Sequence, residues 1–311
     1  MSSKEQPQPF TTVYPMFDPG LDFWFARIGG CGLGNCFYTY FQGFALAERF
    51  NATMIAPPWF SLKVGPVLRG EASKRFYWRM FKPFPGDIHG LDKLRILLRD
   101  YRKRAVIEIE GSSKPALVIG ALNVIISKRW TFQGLHAYRN VIRERLLGIV
   151  NDPAPSDLRW GQGKFIAIHV RLSDFKTIPD PNQVTAAGHS ARIPIFWYVN
   201  VARALRKRFP DLPILLFSDG KAEELQPLLD MGARFYRSGS DITDLLAMCG
   251  ASILVGSNST YSRWAAFLGN MPSIWLKGAR INKEATGDRL TDPDVPVLHV
   301  AMDANEVTLW P

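Results

Sequence analysis

From residue 165 onward the chain alternates short apolar, β-branched runs with longer segments whose apolar positions recur three and four apart. This pattern predicts strands at 165–170, 214–218, 234–236, 252–256 and 273–276, with helices at 195–209, 222–230, 241–249 and 260–268. Strands alternating with helices of such length imply a parallel sheet covered on both faces. The first half is less regular. Residues 23–28 read as a strand that runs into Gly29-Gly30-Cys31-Gly32-Leu33-Gly34-Asn35. A helix with Phe37, Tyr40, Phe41, Phe44 and Ala45 on one face follows, then a strand at 53–56. Further strands are expected at 106–109 and 117–119, and a helix at 137–147 ended by Gly148. Residues 57–104 are aromatic and basic and show no clear period.

Punctuation divides the chain. Residues 1–20 are polar and Pro-rich and read as a flexible arm. Asn151-Asp-Pro-Ala-Pro-Ser breaks both periodicities and marks a linker. The expected organisation is an arm at 1–20, α/β domains at 21–150 and 151–280, and a tail at 281–311 that packs back on the first domain. Two Rossmann-like βα domains facing a central cleft would place ligand-competent loops where small-molecule sites are common.

Composition narrows this picture. The 311 residues are 47% hydrophobic and 21% charged, a globular balance for two domains. Lys and Arg exceed Asp and Glu by 38 − 28 = 10, a field that attracts phosphate-bearing ligands, anionic polysaccharide or an anionic membrane. Much of the excess lies in Lys74, Arg75, Arg79 and Lys82, interleaved with Phe76, Tyr77, Trp78 and Phe81, and in the basic run from Lys93 to Arg104. Such a stretch is a solvated helix with its apolar face in the core, or a surface suited to peripheral membrane contact. The N-terminus lacks the apolar core of a signal peptide, and no run approaches a membrane span. Three cysteines are too few for a disulfide framework and lack metal-ligand spacing. A cytoplasmic protein, peripheral at the inner face of the membrane, is the expectation. No nucleic-acid recognition module is present, so nucleic acid is not expected as a partner.

The candidate chemistry sits at predicted strand ends. Phe-Ile-Ala-Ile-His-Val-Arg-Leu-Ser-Asp, residues 165–174, delivers His169, Arg171 and Asp174 to a carboxyl end, where open α/β sheets bind ligands. One Arg there can form bidentate hydrogen bonds to phosphate, or close the strand as an Arg–Asp ion pair. Ser218-Asp219 ends the next strand, where it could bind a base, a ribose or a backbone amide, or cap helix 222–230. Gly256-Ser-Asn258-Ser259-Thr260 opens a helix; its amides and hydroxyls suit a phosphate, although one hydroxyl would serve as an ordinary cap. Gly30, Gly32 and Gly34 stand at a strand-to-helix turn, with a spacing that differs from the dinucleotide fingerprint. The only Asp-x-Asp, Asp292-Pro-Asp294, lies in the Pro-rich tail, so no metal site is expected.

Taken in order, these segments resemble the GDP-fucose-dependent fucosyltransferases, and the α-1,2-fucosyltransferases in particular. That family has a His-x-Arg-Arg-Gly-Asp-Tyr strand end, then Phe-Ser-Asp-Asp, then Asp-x-x-Leu-x-x-Met-x-x-Cys leading into Asn-Ser-Ser-Phe-Ser-Trp-Trp-Ala-Ala. Here the counterparts are His169–Asp174, Phe217–Gly220, and Asp241–Cys249 followed by Asn258–Ala266. The family's Gly-Gly-Leu-Gly-Asn-Gln signature is matched by Gly32-Leu-Gly-Asn35, and its Ala-Leu-Ala-Glu by Ala45–Glu48. The resemblance spans residues 28–56 and 164–276. It implies a GT-B glycosyltransferase without metal or other cofactor, inverting, that moves L-fucose from GDP-fucose to an oligosaccharide, polysaccharide or lipid-linked glycan. Arg171 would take the charge of the departing diphosphate, with Asp174 orienting it and His169 nearby. Ser259 and Thr260, beside Asn258, would bind phosphates, Ser218 and Asp219 would sit near the nucleoside, and Gly32, Gly34 and Asn35 would face the donor. Four positions depart from the pattern: Leu172 replaces an Arg, Gly220 an Asp, Arg263 a Trp and Cys36 a Gln. Arg263 would restore the charge lost at Leu172. Another nucleotide sugar, or nucleotide-sugar binding without turnover, are the alternatives.

Overall fold

The computed structural model describes residues 11–18, 21–68, 75–109, 122–127, 131–151, 154–187, 190–279, 289–303 and 307–310. The expected strand at 117–119 and residues 1–10 of the arm lie outside them. Two compact α/β units result, one from residues up to Val67 with Arg75–Asn151, the other chiefly from the described residues after Asn151. Among the described residues no helix is long and apolar enough to cross a membrane.

The first unit holds a parallel sheet of β1 (Thr12–Pro15), β3 (Thr53–Met54), β5 (Ala105–Ile109) and β6 (Leu122–Ser127), in the order β3-β1-β6-β5. β1 falls inside the segment expected to be a loose arm, and all four of its residues are buried. Pro7 and Pro9 before it and Pro15 as its last residue hide so short a strand from periodicity. The strand expected at 23–28 is only β2 (Arg27–Ile28), which pairs with β4 (Ser61–Leu62) outside the main sheet. Phe23 and Phe25 are exposed, so that apolar run is not a core strand. Helix α1 (Leu33–Phe50) carries Phe37, Tyr38, Tyr40, Phe41 and Phe44, all buried, and ends at Asn51 in a left-handed conformation. Within 57–104, the stretch without a clear period, stand α2 (Val64–Leu68) and α3 (Gly90–Asp100). Helix α4 (Arg139–Ile149) closes the unit.

The second unit follows its sequence pattern closely. A six-stranded parallel sheet contains β7 (Ile166–Val170), β8 (Ile214–Ser218), β9 (Arg234–Phe235), β10 (Ile253–Val255), β11 (Ser273–Leu276) and β12 (Val297–Val300). Helices α5 (Ile195–Arg208), α6 (Ala222–Leu229), α7 (Asp241–Cys249) and α8 (Thr260–Gly269) alternate with the strands. Every residue of β7 is buried, as a strand covered on both faces requires. Ile166, Ile168 and Val170 pack with Trp197, Val201 and Leu205 of α5 in one core. The tail departs from expectation: β12 extends this sheet beside β11, and Leu309 and Trp310 pack on the same core.

The strand order β12-β11-β10-β7-β8-β9 fixes where a ligand can sit. The chain winds outward from β7 to β9 on one side, then returns to lay β10 on the other side of β7. The order therefore reverses between β7 and β10, and the crevice beyond the carboxyl ends of such neighbours is the usual ligand site of an open α/β sheet.

Candidate active site

Arg171 leaves β7 directly into this switch point. Its guanidinium is held by two carboxylates: Nη2 lies 2.7 Å from Asp174 Oδ1, and Nη1 lies 2.7 Å from Asp219 Oδ2. Its Nε is buried without a hydrogen-bond partner. The ion pair expected from the sequence is present, on the same side chain that was expected to reach a ligand.

Asp219 does more than the sequence suggests. Its Oδ1 accepts the N–H groups of Leu172 at 2.8 Å and Ser173 at 3.4 Å, while Ser173 Oγ donates to the Asp219 carbonyl at 3.0 Å. Burial pushes its carboxyl up, but Arg171, the Leu172 N–H, His169 and Ser173 together hold it below the ordinary range. Asp219 is thus a clamp joining the β7 and β8 ends, with both oxygens engaged. It does not cap α6: Lys221 stands at that N-cap, where its N–H donates to Glu224 Oε2 at 3.0 Å. Ser218 Oγ accepts the Gly220 N–H at 3.0 Å and stabilises the turn.

Two departures from the family pattern are one packing event. Leu172 is buried in the core, and a Cβ at Gly220 would stand 2.3 Å from Leu172 Cδ1. A side chain at 220 would therefore require Leu172 to shift, its Cγ and Cβ lying 3.2 and 3.3 Å from the added Cβ.

Across the switch, β10 runs through Gly256 into the turn before α8. A Cβ at Gly256 would meet the Trp275 ring at 2.0 Å, so this glycine seats the indole under the turn. Ser259 is the N-cap of α8, its Oγ accepting the Tyr261 N–H at 3.3 Å. Asn258 donates to the Ala191 carbonyl at 3.2 Å, while its buried Oδ1 has no hydrogen-bond partner. Thr260 is half-buried at the first position of the helix. Arg263 lies one turn inside α8 and is buried.

His169 is a bracket between the two strand ends. Its Nδ1 lies 2.9 Å from Ser257 Oγ and 2.5 Å from Ser262 Oγ, and Ser262 Oγ accepts the Ser257 N–H at 3.1 Å. Burial lowers its pKa to about 3, outweighing Asp219, so the imidazole is neutral at physiological pH. Ser257 and Ser262 were not singled out by the sequence. Their signal was the excess of small polar residues beyond what one helix cap requires.

The remaining predicted residues belong to the first unit. Gly32 is the N-cap of α1, and a Cβ there would meet nothing within 4 Å. The positive φ angles fall instead on Gly29 and Gly30. Gly34 is buried in the first turn of α1, and Asn35 carries a buried Oδ1 without a hydrogen-bond partner. The same unit contains a cavity of about 290 Å³ lined by Trp24, Trp59, Trp78, Arg79, Lys82 and Lys93 among others, with no carboxylate among the described residues of its lining. Lys93 is buried; its ammonium donates to the carbonyls of Trp24 and, at 2.7 Å, Ala56. Burial pulls its pKa down to about 8 against the attraction of Asp22.

No family model matches the chain. No curated protein matches it either. Among solved structures, it is similar to NodZ alpha-1,6-fucosyltransferase soaked with GDP-fucose, at 12% identity and TM-score 0.44, covering 87% of this chain and 96% of that one. It is also similar to POFUT1 in complex with GDP, at 10% identity and TM-score 0.43, covering 87% and 99%.

Proposed function

We propose that the chain is a glycosyltransferase of GT-B type that takes L-fucose from GDP-fucose and joins it, with inversion and in α-1,2 linkage, to a glycan hydroxyl. The observation that carries this reading is the placement of Arg171 and of the Ser257–Thr260 turn that opens α8 beyond the carboxyl ends of the neighbouring strands β7 and β10. A braced guanidinium, a helix N-terminus and two hydroxyls suit a diphosphate that gains charge as its sugar departs. Ser259 Oγ accepts from the helix and keeps its O–H for a phosphate oxygen. In this reading Asp219 and Asp174 are positioning residues, His169 holds the two strand ends in register, and no divalent metal is needed.

The first unit supplies the acceptor surface. The apolar faces of pyranose rings pack on the indoles of its cavity, and its cations favour an acidic glycan, free or lipid-carried.

One observation favours a second reading. Arg171 already faces two carboxylates, which neutralise the charge needed to stabilise a departing diphosphate, so the chain would bind nucleotide sugar through the α8 turn without turnover. Calorimetric titration with GDP, UDP and NAD, without divalent metal and repeated on Arg171→Ala, tests the shared site. Selective GDP binding lost in the variant is expected; binding that ignores Arg171 sinks both readings. GDP release from GDP-fucose in the presence of glycans then separates transfer from binding.

A further inference from the structure

Cys31 and Cys36 flank the start of α1 with their sulfurs 3.5 Å apart. Cys36 is fully buried, whereas Cys31 is half-buried. Two buried cations face the pair. Arg27 is wholly buried, donates Nη1 to the Cys31 carbonyl at 3.4 Å, and leaves Nε and Nη2 without hydrogen-bond partners. Lys63 donates to the same carbonyl at 2.7 Å. Both cations lie against the Tyr77 ring, at 5.9 and 5.1 Å from its centroid. Burial raises the Cys36 thiol, but the Cys31 hydrogen bond, Arg27 and Lys63 outweigh it and bring it to about 6. One sulfur of the pair is thus a thiolate at neutral pH.

The geometry also permits closure. A disulfide needs sulfurs about 2.05 Å apart. Cys31 sits between Gly30 and Gly32, and the space about Gly32 is open, so the loop can supply the remaining movement.

We propose that Cys31 and Cys36 form a reversible disulfide site, closed by low-molecular-weight disulfides and reopened by thiols, whose closure reshapes the Gly29–Asn35 loop. The Cys36 hydrogen bond and burial raise the Cys31 thiol. The attacking form is therefore the minor one, in which the proton has crossed the sulfur–sulfur contact to Cys36, leaving the accessible Cys31 as thiolate. Cys31 attacks one sulfur of the reagent, whose S–S bond breaks and releases a thiolate. That thiolate takes the Cys36 proton and leaves as thiol. Cys36 then attacks Cys31 Sγ and expels the second thiolate of the reagent. Two electrons have passed from the pair to the reagent. Closure removes the negative charge facing Arg27 and Lys63, which is why the loop must change.

The test equilibrates the full chain in glutathione buffers of graded oxidised-to-reduced ratio, alkylates, and maps cysteines by mass spectrometry. Reduced protein should show three free thiols, and oxidised protein only Cys249, with a 31–36 cross-link reversed by dithiothreitol. Hydrogen exchange at 29–36 should rise on oxidation. Cys36→Ser should trap glutathione on Cys31; Cys31→Ser should leave Cys36 unreactive. A pair that stays reduced in oxidised glutathione, a persistent adduct on wild-type Cys31, or Cys31→Ser reacting as fast as wild type overturns the proposal. Unchanged exchange at 29–36 overturns its effect on the loop.

Discussion

In the first unit Arg27, Lys63, Lys93, Arg139 and Arg145 are all buried, together with Asp87; in the second, Arg263 is the only buried Lys or Arg among the described residues. The first unit surrounds its interior cations with carbonyls, aromatic rings and, at Arg145, the Asp87 carboxylate. Arg145 reaches Asp87 at 2.5 Å and the Tyr40 hydroxyl at 2.9 Å, and lies 4.5 Å from the Phe84 ring centroid. The second unit keeps its sheet apolar and places Arg171, Asp174 and Asp219 at strand ends, each partly accessible. Removing a charge should therefore unfold the first unit and retune the second. Buried ions fail when a partner is lost, whereas charges at a rim mainly set what approaches them.

The sharpest break is Asp87→Ala, which strands Arg145 and should cost about 3–5 kcal/mol by urea denaturation. A cost near that of a surface change would mean the first unit does not depend on its buried pair. Gly220→Ala comes next. Its Cβ collides with Leu172, an overpacking of about 1–3 kcal/mol that should largely vanish in a Leu172→Ala background. Additive effects would separate the two positions. His169 gives a pH signature. The unfolded chain protonates histidine near 6.5 and the folded chain near 3, so stability should fall as pH drops through that window. His169→Asn should flatten the slope, and an unchanged slope would assign it to other groups. At the rim, Asp174→Asn should tighten GDP binding by roughly two- to fivefold, the worth of a partly exposed pair. Asp219→Asn should weaken it, and identical effects would remove the distinction between competitor and clamp. Smallest of all, Asp92→Ala on α3 breaks a pair exposed on both sides and should leave the melting temperature unchanged.

The second unit was legible because its central strands β7, β10 and β11 are buried on both faces, leaving continuous apolar runs divided by helices of one period. Only the tail strand β12 escaped, since no helix precedes it in the pattern. The first unit was less legible for the reason that distinguishes it. Lys93 reads as a solvated charge, yet α3 turns it inward beneath Trp24, and Tyr77 lies buried with its hydroxyl accepting the Leu33 N–H. Around the site, Arg171 and Asp174 were found as a pair from spacing alone. Asp219 was harder, because Ser-Asp-Gly before a helix looks like a cap, and its real partners lie far away in sequence, at Arg171, Leu172 and Ser173. The Ser257–His169–Ser262 bracket is likewise a product of strand order.

The collision between Leu172 and any side chain at position 220 also makes the two positions a single unit for engineering. A side chain added at 220 alone displaces Leu172, and a smaller residue at 172 alone leaves the space that a side chain at 220 would fill. Variants of this turn are therefore built as pairs, each residue setting the volume open to the other.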